Sequence, residues 1–97
     1  MTNFIQRTET FMYCIFSFKS RQEAIRLYEN AKRERIPVCI ISTPKFVYTG
    51  CGLSVKTEVE YYTYLYNVFV SMRFSSFYGA FRIRKDSQGT HSERILY

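Results

Sequence analysis

The sequence predicts a single α+β domain of the ferredoxin-like class, with the element order β-α-β-β-α-β. Short apolar runs bounded by turn residues indicate strands, and two longer segments show helical spacing after a capping motif. A chain of 97 residues with 46% hydrophobic residues has the length and composition of one globular domain. Two right-handed crossovers in this order give a four-stranded antiparallel sheet with both helices on one face.

The first predicted strand follows a polar lead-in over residues 1–10. From Phe11 to Phe18 the chain is almost continuously apolar, which is typical of a strand buried on both faces. The domain is expected to cover residues 11–84. Residues 85–97 are polar and are expected to form a mobile tail.

The first helix is predicted to begin after Ser20. Ser20 and Glu23 have the spacing of a capping box, in which each side chain bonds the backbone amide of the other residue. Apolar residues follow at helical spacing, namely Ala24, Leu27, Tyr28 and Ala31. Pro37 disfavours helical geometry at Ile36, so the helix is expected to end there.

Three further strands and one helix complete the predicted fold. The strands cover residues 37–41, 53–56 and 77–83. Thr57 and Glu60 have the spacing of a second capping box, so a Tyr-rich helix is expected from this point to about Arg73. The last strand contains Gly79 and is interpreted as an edge strand.

The composition argues against several classes of function. Three cysteines without a close pair disfavour a disulfide framework and a zinc site. Residues 1–10 lack an apolar signal-peptide core and no apolar run approaches a bilayer span, so a cytoplasmic protein without membrane association is expected. No phosphate loop or metal constellation appears, so no cofactor or metal is predicted. His91, the only histidine, lies in the expected tail, which disfavours a Cys-His catalytic pair.

The three cysteines are predicted to differ in exposure. Cys14 and Cys39 lie inside apolar strands, where a free cysteine usually packs as a small hydrophobe. Cys51 lies between Gly50 and Gly52 at a loop-to-strand junction. These glycines permit backbone conformations with positive φ and leave the thiol unshielded by neighbouring side chains. Cys51 is therefore the candidate reactive residue, and an inert glycine-rich hairpin is the alternative interpretation.

The predicted topology supplies a physical reason for reactivity at Cys51. It brings the Cys51 turn to the end of the sheet where the first strand ends and the first helix begins. Cationic side chains and free backbone amides at a helix start favour the thiolate, which is the nucleophilic form of a thiol. The candidate binding residues around Cys51 are Lys19, Ser20, Arg21, Gly50 and Gly52.

Two short segments show a resemblance to a known family. Ile36-Pro37-Val38 opens the second predicted strand, and Pro44-Lys45 is followed after a short spacer by Cys51-Gly52-Leu53. In these segments, and in its hydrophobic pattern, the chain resembles the small bacterial family of selenium/sulfur carrier proteins. The resemblance implies a carrier rather than a true enzyme, in which Cys51 accepts sulfur or selenium as a persulfide-type adduct. It also implies sulfur or selenium donor and acceptor proteins as partners.

A non-catalytic binding or regulatory module is the alternative function. A formal charge of +6 and 19% aromatic residues suit an RNA-binding sheet, and residues 77–83 are similar to an aromatic RNA-recognition motif. That motif belongs before the second helix, whereas this segment follows it, so nucleic acid is disfavoured as a partner. Both faces of the first strand are apolar, so a homodimer through the sheet face is also predicted.

Overall fold

A computed structural model describes residues 11–96 of the chain, and the polar lead-in predicted for residues 1–10 lies outside the described residues. The described elements are β1 (Phe11–Phe18), α1 (Arg21–Arg33), β2 (Cys39–Ser42), β3 (Leu53–Glu58), α2 (Tyr62–Val70), β4 (Phe77–Asp86) and β5 (Gly89–Leu96). A single 3-10 turn, Val59–Tyr61, leads from β3 into α2. Among residues 11–96, no helix has the length and apolarity needed to cross a membrane.

All the described strands form one antiparallel sheet in the order β2-β3-β1-β4-β5. The connection through α1 joins β1 to β2 with β3 between them, and the connection through α2 joins β3 to β4 with β1 between them. The predicted α+β class is confirmed. The predicted four-stranded sheet is wrong, because a fifth strand pairs with β4.

The fifth strand occupies most of the segment that was expected to be a mobile tail, residues 85–97. A tight hairpin pairs Asp86 with Gly89, and the Gln88 amide donates a hydrogen bond to the Asp86 carboxylate at 2.8 Å. β5 lies at the edge of the sheet, so its side chains are largely exposed and its composition is polar. β4 is consequently an interior strand, and the interpretation of residues 77–83 as an edge strand is wrong.

The main core lies between the helices and one face of the sheet. Phe16 and Phe18 of β1 are buried there against Leu27 of α1 and Leu65 of α2. Burying a side chain of this size stabilises the fold by roughly 1.5–3 kcal/mol. Phe69 of α2 extends the contact, with its ring centre 5.4 Å from that of Phe16. The helices are therefore fixed on the face to which Phe16 and Phe18 point.

Only one of the two hydrogen bonds of the predicted capping box is present at the start of α1. The Ser20 hydroxyl accepts a hydrogen bond from the Glu23 amide at 3.3 Å. The Glu23 carboxylate does not return to the Ser20 amide, which donates instead to the hydroxyl of Ser76 at 3.1 Å. Glu23 accepts hydrogen bonds from Ser75 and Ser76, in the segment that enters β4. The carboxylate thus links the first turn of α1 to a distant part of the chain.

The second predicted capping box is wrong. Thr57 is a buried residue of β3, and its hydroxyl donates a hydrogen bond to the Pro37 carbonyl oxygen at 2.8 Å. Its side chain is therefore not available to cap a helix. The helix consequently begins later than expected, at Tyr62, and ends at Val70 rather than near Arg73.

The sheet face opposite the helices is called the open face below. It includes Tyr13, Ile15, Lys56, Glu58, Phe81, Ile83, Lys85 and Arg94, together with the rings of Tyr48 and Tyr78 and the Lys19 ammonium group over these rings. Ile15 and Ile83 are fully buried although no helix lies over them, because Val47 and Tyr78 pack against this cluster. The chain itself covers the apolar centre whose exposure motivated the predicted homodimer. The homodimer stays a prediction.

Candidate functional site

The β2–β3 loop, residues 43–52, holds Cys51 at the end of the sheet where β1 ends. The Thr43 amide donates a hydrogen bond to the Gly52 carbonyl oxygen at 3.1 Å and closes the base of the loop. Inside the loop, the amides of Val47 and Tyr48 donate to the Pro44 carbonyl oxygen at 2.9 and 3.1 Å. The loop is therefore folded on itself by backbone hydrogen bonds, and Cys51 follows this folded part.

Gly50 and Gly52 are required by close packing, not by backbone conformation. Neither has a φ in the left-handed region, so the backbone does not use the positive φ that glycine permits at these two residues. A side chain at Gly52 would begin 2.7 Å from the Phe18 carbonyl oxygen, and one at Gly50 would begin 2.7 Å from the Tyr48 ring. The two glycines allow the Cys51 turn to lie directly against β1 and Tyr48.

Cys51 and Cys39 have exposed thiols, whereas Cys14 is 2% exposed. Burial raises the pKa of Cys14 from 9.0 to about 11, although the positive charge of Arg82 acts in the opposite direction. The predicted burial of Cys14 is confirmed. The predicted burial of Cys39 is wrong, because β2 is an edge strand and Cys39 lies opposite Lys56 in the ladder.

Lys19 is connected to the Cys51 turn through an aromatic pair. Its ammonium nitrogen lies 6.0 Å from the centre of the Tyr48 ring and 5.9 Å from the centre of the Tyr78 ring. The two ring centres are 4.7 Å apart. Since the Tyr48 ring also lies against Gly50, one ring separates the Lys19 cation from the turn.

The other two candidate residues at the start of α1 have different positions. Ser20 is committed to the helix start, because its hydroxyl bonds the Glu23 amide and its own amide bonds Ser76. Arg21 is an exposed residue of the first turn. The roles of Lys19, Ser20 and Arg21 toward the Cys51 thiol stay predictions.

A row of three buried hydroxyl groups anchors the loop to the centre of the sheet. The hydroxyl oxygens of Ser17 and Ser54 are 2.7 Å apart, and those of Ser54 and Thr43 are 2.8 Å apart. Ser54 therefore bonds both neighbours in a buried setting, where a hydroxyl without a partner is costly. The row fixes Thr43, the first residue of the loop, to β3 and β1.

Sequence reasoning missed two contributors to the loop. The Lys45 ammonium donates hydrogen bonds to the carbonyl oxygens of Thr49 and Gly50 at 3.5 and 3.4 Å, directly before Cys51. Lys45 and Gly50 lie five residues apart in one short loop, and this spacing was the signal from which the contact could have been predicted. Tyr48 gave no signal, because its partners Lys19 and Tyr78 are distant in the sequence.

Cys51 does not line the groove between the two helices. This groove, of about 430 Å³, lies between α1 and α2 and is lined by Asn30, Glu34, Ile36, Tyr64, Asn67, Val68 and Ser71. Within residues 11–96, no three His, Cys, Asp or Glu side chains are grouped so that they could hold a metal ion. The chemistry available at this loop is that of an exposed cysteine that directly follows a carbonyl group bonded by Lys45.

Comparison with known proteins identifies the family. A family model described as "Putative Se/S carrier protein-like" matches residues 13–73, a segment that begins in β1 and contains the Cys51 loop. The match covers more than half of the 97 residues, so the chain belongs to this family, and the resemblance seen in the sequence is confirmed. The comparisons with curated proteins and with solved structures gave no match.

Proposed function

We propose that this chain, a member of the Se/S carrier protein-like family, carries a sulfur or selenium atom on the thiol of Cys51. The observation that supports the proposal is the exposed Cys51 thiol on a loop inside the matched segment 13–73. A carrier needs a thiol that a donor and an acceptor can both reach, and it needs no acid–base pair. The donor and the acceptor are expected to be proteins that dock beside the loop.

The proposed transfer is an exchange that conserves atoms and electrons. The Cys51 thiolate attacks the outer sulfur of a donor persulfide, R–S–SH, so a new S–S bond forms while the donor S–S bond breaks. The donor leaves as R–S⁻, and the protein holds Cys51–S–SH. An acceptor thiolate then attacks the outer sulfur, takes it away as a persulfide, and releases the Cys51 thiolate. With a selenium donor, the outer atom is selenium in both steps.

The surroundings of Cys51 suit this exchange. Gly50 and Gly52 place no side chain on either side of the thiol, which leaves its sulfur open to a bulky donor. In the proposal, the positive charge of Lys19, on the far side of the Tyr48 ring from the turn, attracts an anionic persulfide donor. In the proposal, Ser20 fixes the start of α1, and Arg21 adds a second cation at the same end of the helix.

Cys39 is the competing thiol, because it is also exposed and also lies in the matched segment. Its backbone is held in the β2–β3 ladder opposite Lys56, and it is not flanked by glycine. The flanking glycines therefore favour Cys51 over Cys39 as the carrier thiol. Substitution of each cysteine in turn compares the two directly.

Intact-mass measurement after incubation with a small persulfide donor tests the proposal. The wild type and C39S are expected to gain one sulfur atom, and C51S is expected to gain none. An adduct that persists on C51S but disappears on C39S would place the chemistry at Cys39 and overturn the assignment. If neither the wild type nor C39S gained sulfur, the carrier proposal would fail.

A further inference from the structure

We propose that the open face of the sheet binds single-stranded nucleic acid, with bases stacked on its tyrosine rings and phosphates paired with its cations. This inference does not depend on the chemistry of Cys51. It rests on the arrangement of rings, positive charges and carboxylates on a sheet face that no helix covers.

Aromatic rings lie along the open face from one end to the other. The Tyr48 and Tyr78 ring centres are 4.7 Å apart, and the Tyr78 and Phe81 ring centres are 6.0 Å apart. Tyr13 lies directly opposite Ile83 of the neighbouring strand, and Ile83 follows Phe81 by two residues toward the opposite end of the face. Tyr13, Tyr48 and Tyr78 are half-buried, so each ring has an exposed part on which a base could stack.

Cations lie beside these rings. The Lys56 and Lys85 ammonium nitrogens are 4.3 and 5.9 Å from the centre of the Tyr13 ring, so they flank it from the two neighbouring strands. The Arg94 guanidinium carbon is 4.9 Å from the centre of the Tyr78 ring, and Lys19 is 5.9 Å from it. Each exposed ring is therefore accompanied by at least one positive charge.

The two faces of the sheet differ in whether their cations are paired with carboxylates. On the helix face, Arg82 and Arg84 of β4 form ion pairs with Glu93 and Asp86. On the open face, Lys19, Lys56 and Lys85 form no ion pair with any of the described residues. Glu58, opposite Tyr13 in the β1–β3 ladder, is the acidic residue at the rim. Among residues 11–96, the open face thus carries more positive than negative side chains.

Single-stranded nucleic acid fits this surface better than an acidic protein does. An acidic segment would use the cations and leave the tyrosine rings without a specific partner. A nucleic acid strand alternates flat bases with phosphates, which matches the observed alternation of rings and ammonium groups. Gly79 makes room for the Arg94 guanidinium beside Tyr78, because a side chain at residue 79 would collide with it.

Fluorescence anisotropy with a labelled short oligouridylate tests the proposal. If Lys19, Lys56 and Lys85 contact phosphates, the logarithm of the association constant is expected to fall with the logarithm of salt concentration, with a slope of about −2. K56Q is expected to reduce this slope by about 0.7. The matched control is K32Q, because Lys32 also lies over a tyrosine ring, that of Tyr28, but on α1.

Substitution of a ring separates stacking from charge. Y13L is expected to weaken binding by about tenfold, whereas Y13F keeps the ring and is expected to bind like the wild type. The control is Y28L on α1, and thermal unfolding of each variant shows that the fold is intact. A salt-independent response, equal losses in K56Q and K32Q, or equally strong binding of polyglutamate would overturn the proposal.

Discussion

The carboxylate of Glu23 accepts hydrogen bonds from both the amide and the hydroxyl of Ser76, at 2.7 and 2.6 Å. The amide of Ser75 adds a further bond at 3.0 Å. Burial acts to raise the pKa of Glu23, but the hydrogen bonds from Ser76 and Ser75 prevail and lower it from 4.5 to about 2. Glu23 therefore holds the start of α1 against the segment that enters β4 as long as the carboxyl is ionised.

This lowered pKa gives a pH-dependent contribution to stability. The contribution is complete above the ordinary pKa of 4.5 and is lost as the pH falls toward about 2, because the unfolded state binds the proton first. E23Q is expected to lose about 1–3 kcal/mol of unfolding free energy at neutral pH and to show less change over this acid range. Urea unfolding at several pH values measures both effects.

The matched control for E23Q is E29Q, since Glu29 is an exposed residue of the same helix. It is expected to unfold like the wild type at each pH. If E23Q and E29Q had the same stability and the same acid dependence, the hydrogen bonds from Ser75 and Ser76 would not contribute as described.

Gly52 and Gly50 are expected to differ in their tolerance of a methyl group. In G52A the new carbon would meet the Phe18 carbonyl oxygen, which is backbone, whereas in G50A it would meet the Tyr48 ring, which can rotate. G52A is expected to lose about 1–3 kcal/mol of unfolding free energy and G50A distinctly less. Chemical denaturation of the two variants measures the difference, and an equal loss would contradict the packing account.

Ser54 is expected to be the sensitive member of the buried hydroxyl row. S54A leaves the hydroxyls of both Ser17 and Thr43 without this partner, at a cost of about 1–3 kcal/mol. S42A is the control, because Ser42 is exposed in the adjacent strand. In thermal unfolding, the midpoint temperature is expected to fall for S54A and not for S42A. An unchanged midpoint for S54A would mean that the hydroxyl row does not anchor the loop.

Lys19 is expected to influence the reactivity of Cys51. K19Q removes the positive charge beside Tyr48 and should slow alkylation of Cys51 by about two- to fivefold, the size of a surface charge effect. Cys39 in the same sample is the internal reference, since it lies in another part of the sheet. Peptide mapping after timed alkylation gives both rates, and a parallel change at Cys51 and Cys39 would exclude a local role of Lys19.

The features predictable from the sequence are those set by near neighbours. Ser20 caps α1 through an amide three residues away, and the apolar run at Phe11–Phe18 requires a buried strand whatever surrounds it. β5 was missed because an edge strand needs only one neighbour and can be polar throughout. The exposure of Cys39 was missed for a related reason, since it depends on whether β2 is an edge strand.

The candidate site was predictable in its centre and not in its surroundings. The exposure of Cys51 follows from its position between two glycines, and the structure agrees. The contacts that shape the loop join residues far apart in the sequence, such as Gly52 with Phe18 and Tyr48 with Tyr78. Local sequence patterns contain no information about such contacts, so the aromatic and cationic character of the open face became visible only in the fold.

A single-turnover transfer measurement tests the central claim most directly, because a carrier must release the atom as well as accept it. The protein is loaded with labelled sulfur from a persulfide donor, freed of excess donor, and mixed with a small acceptor thiol. The account predicts that the label leaves the wild type and C39S and appears in the acceptor, with the Cys51 thiol restored. No loading of C51S is expected. A label that stays on the protein, or that transfers equally well from C51S, would contradict the account.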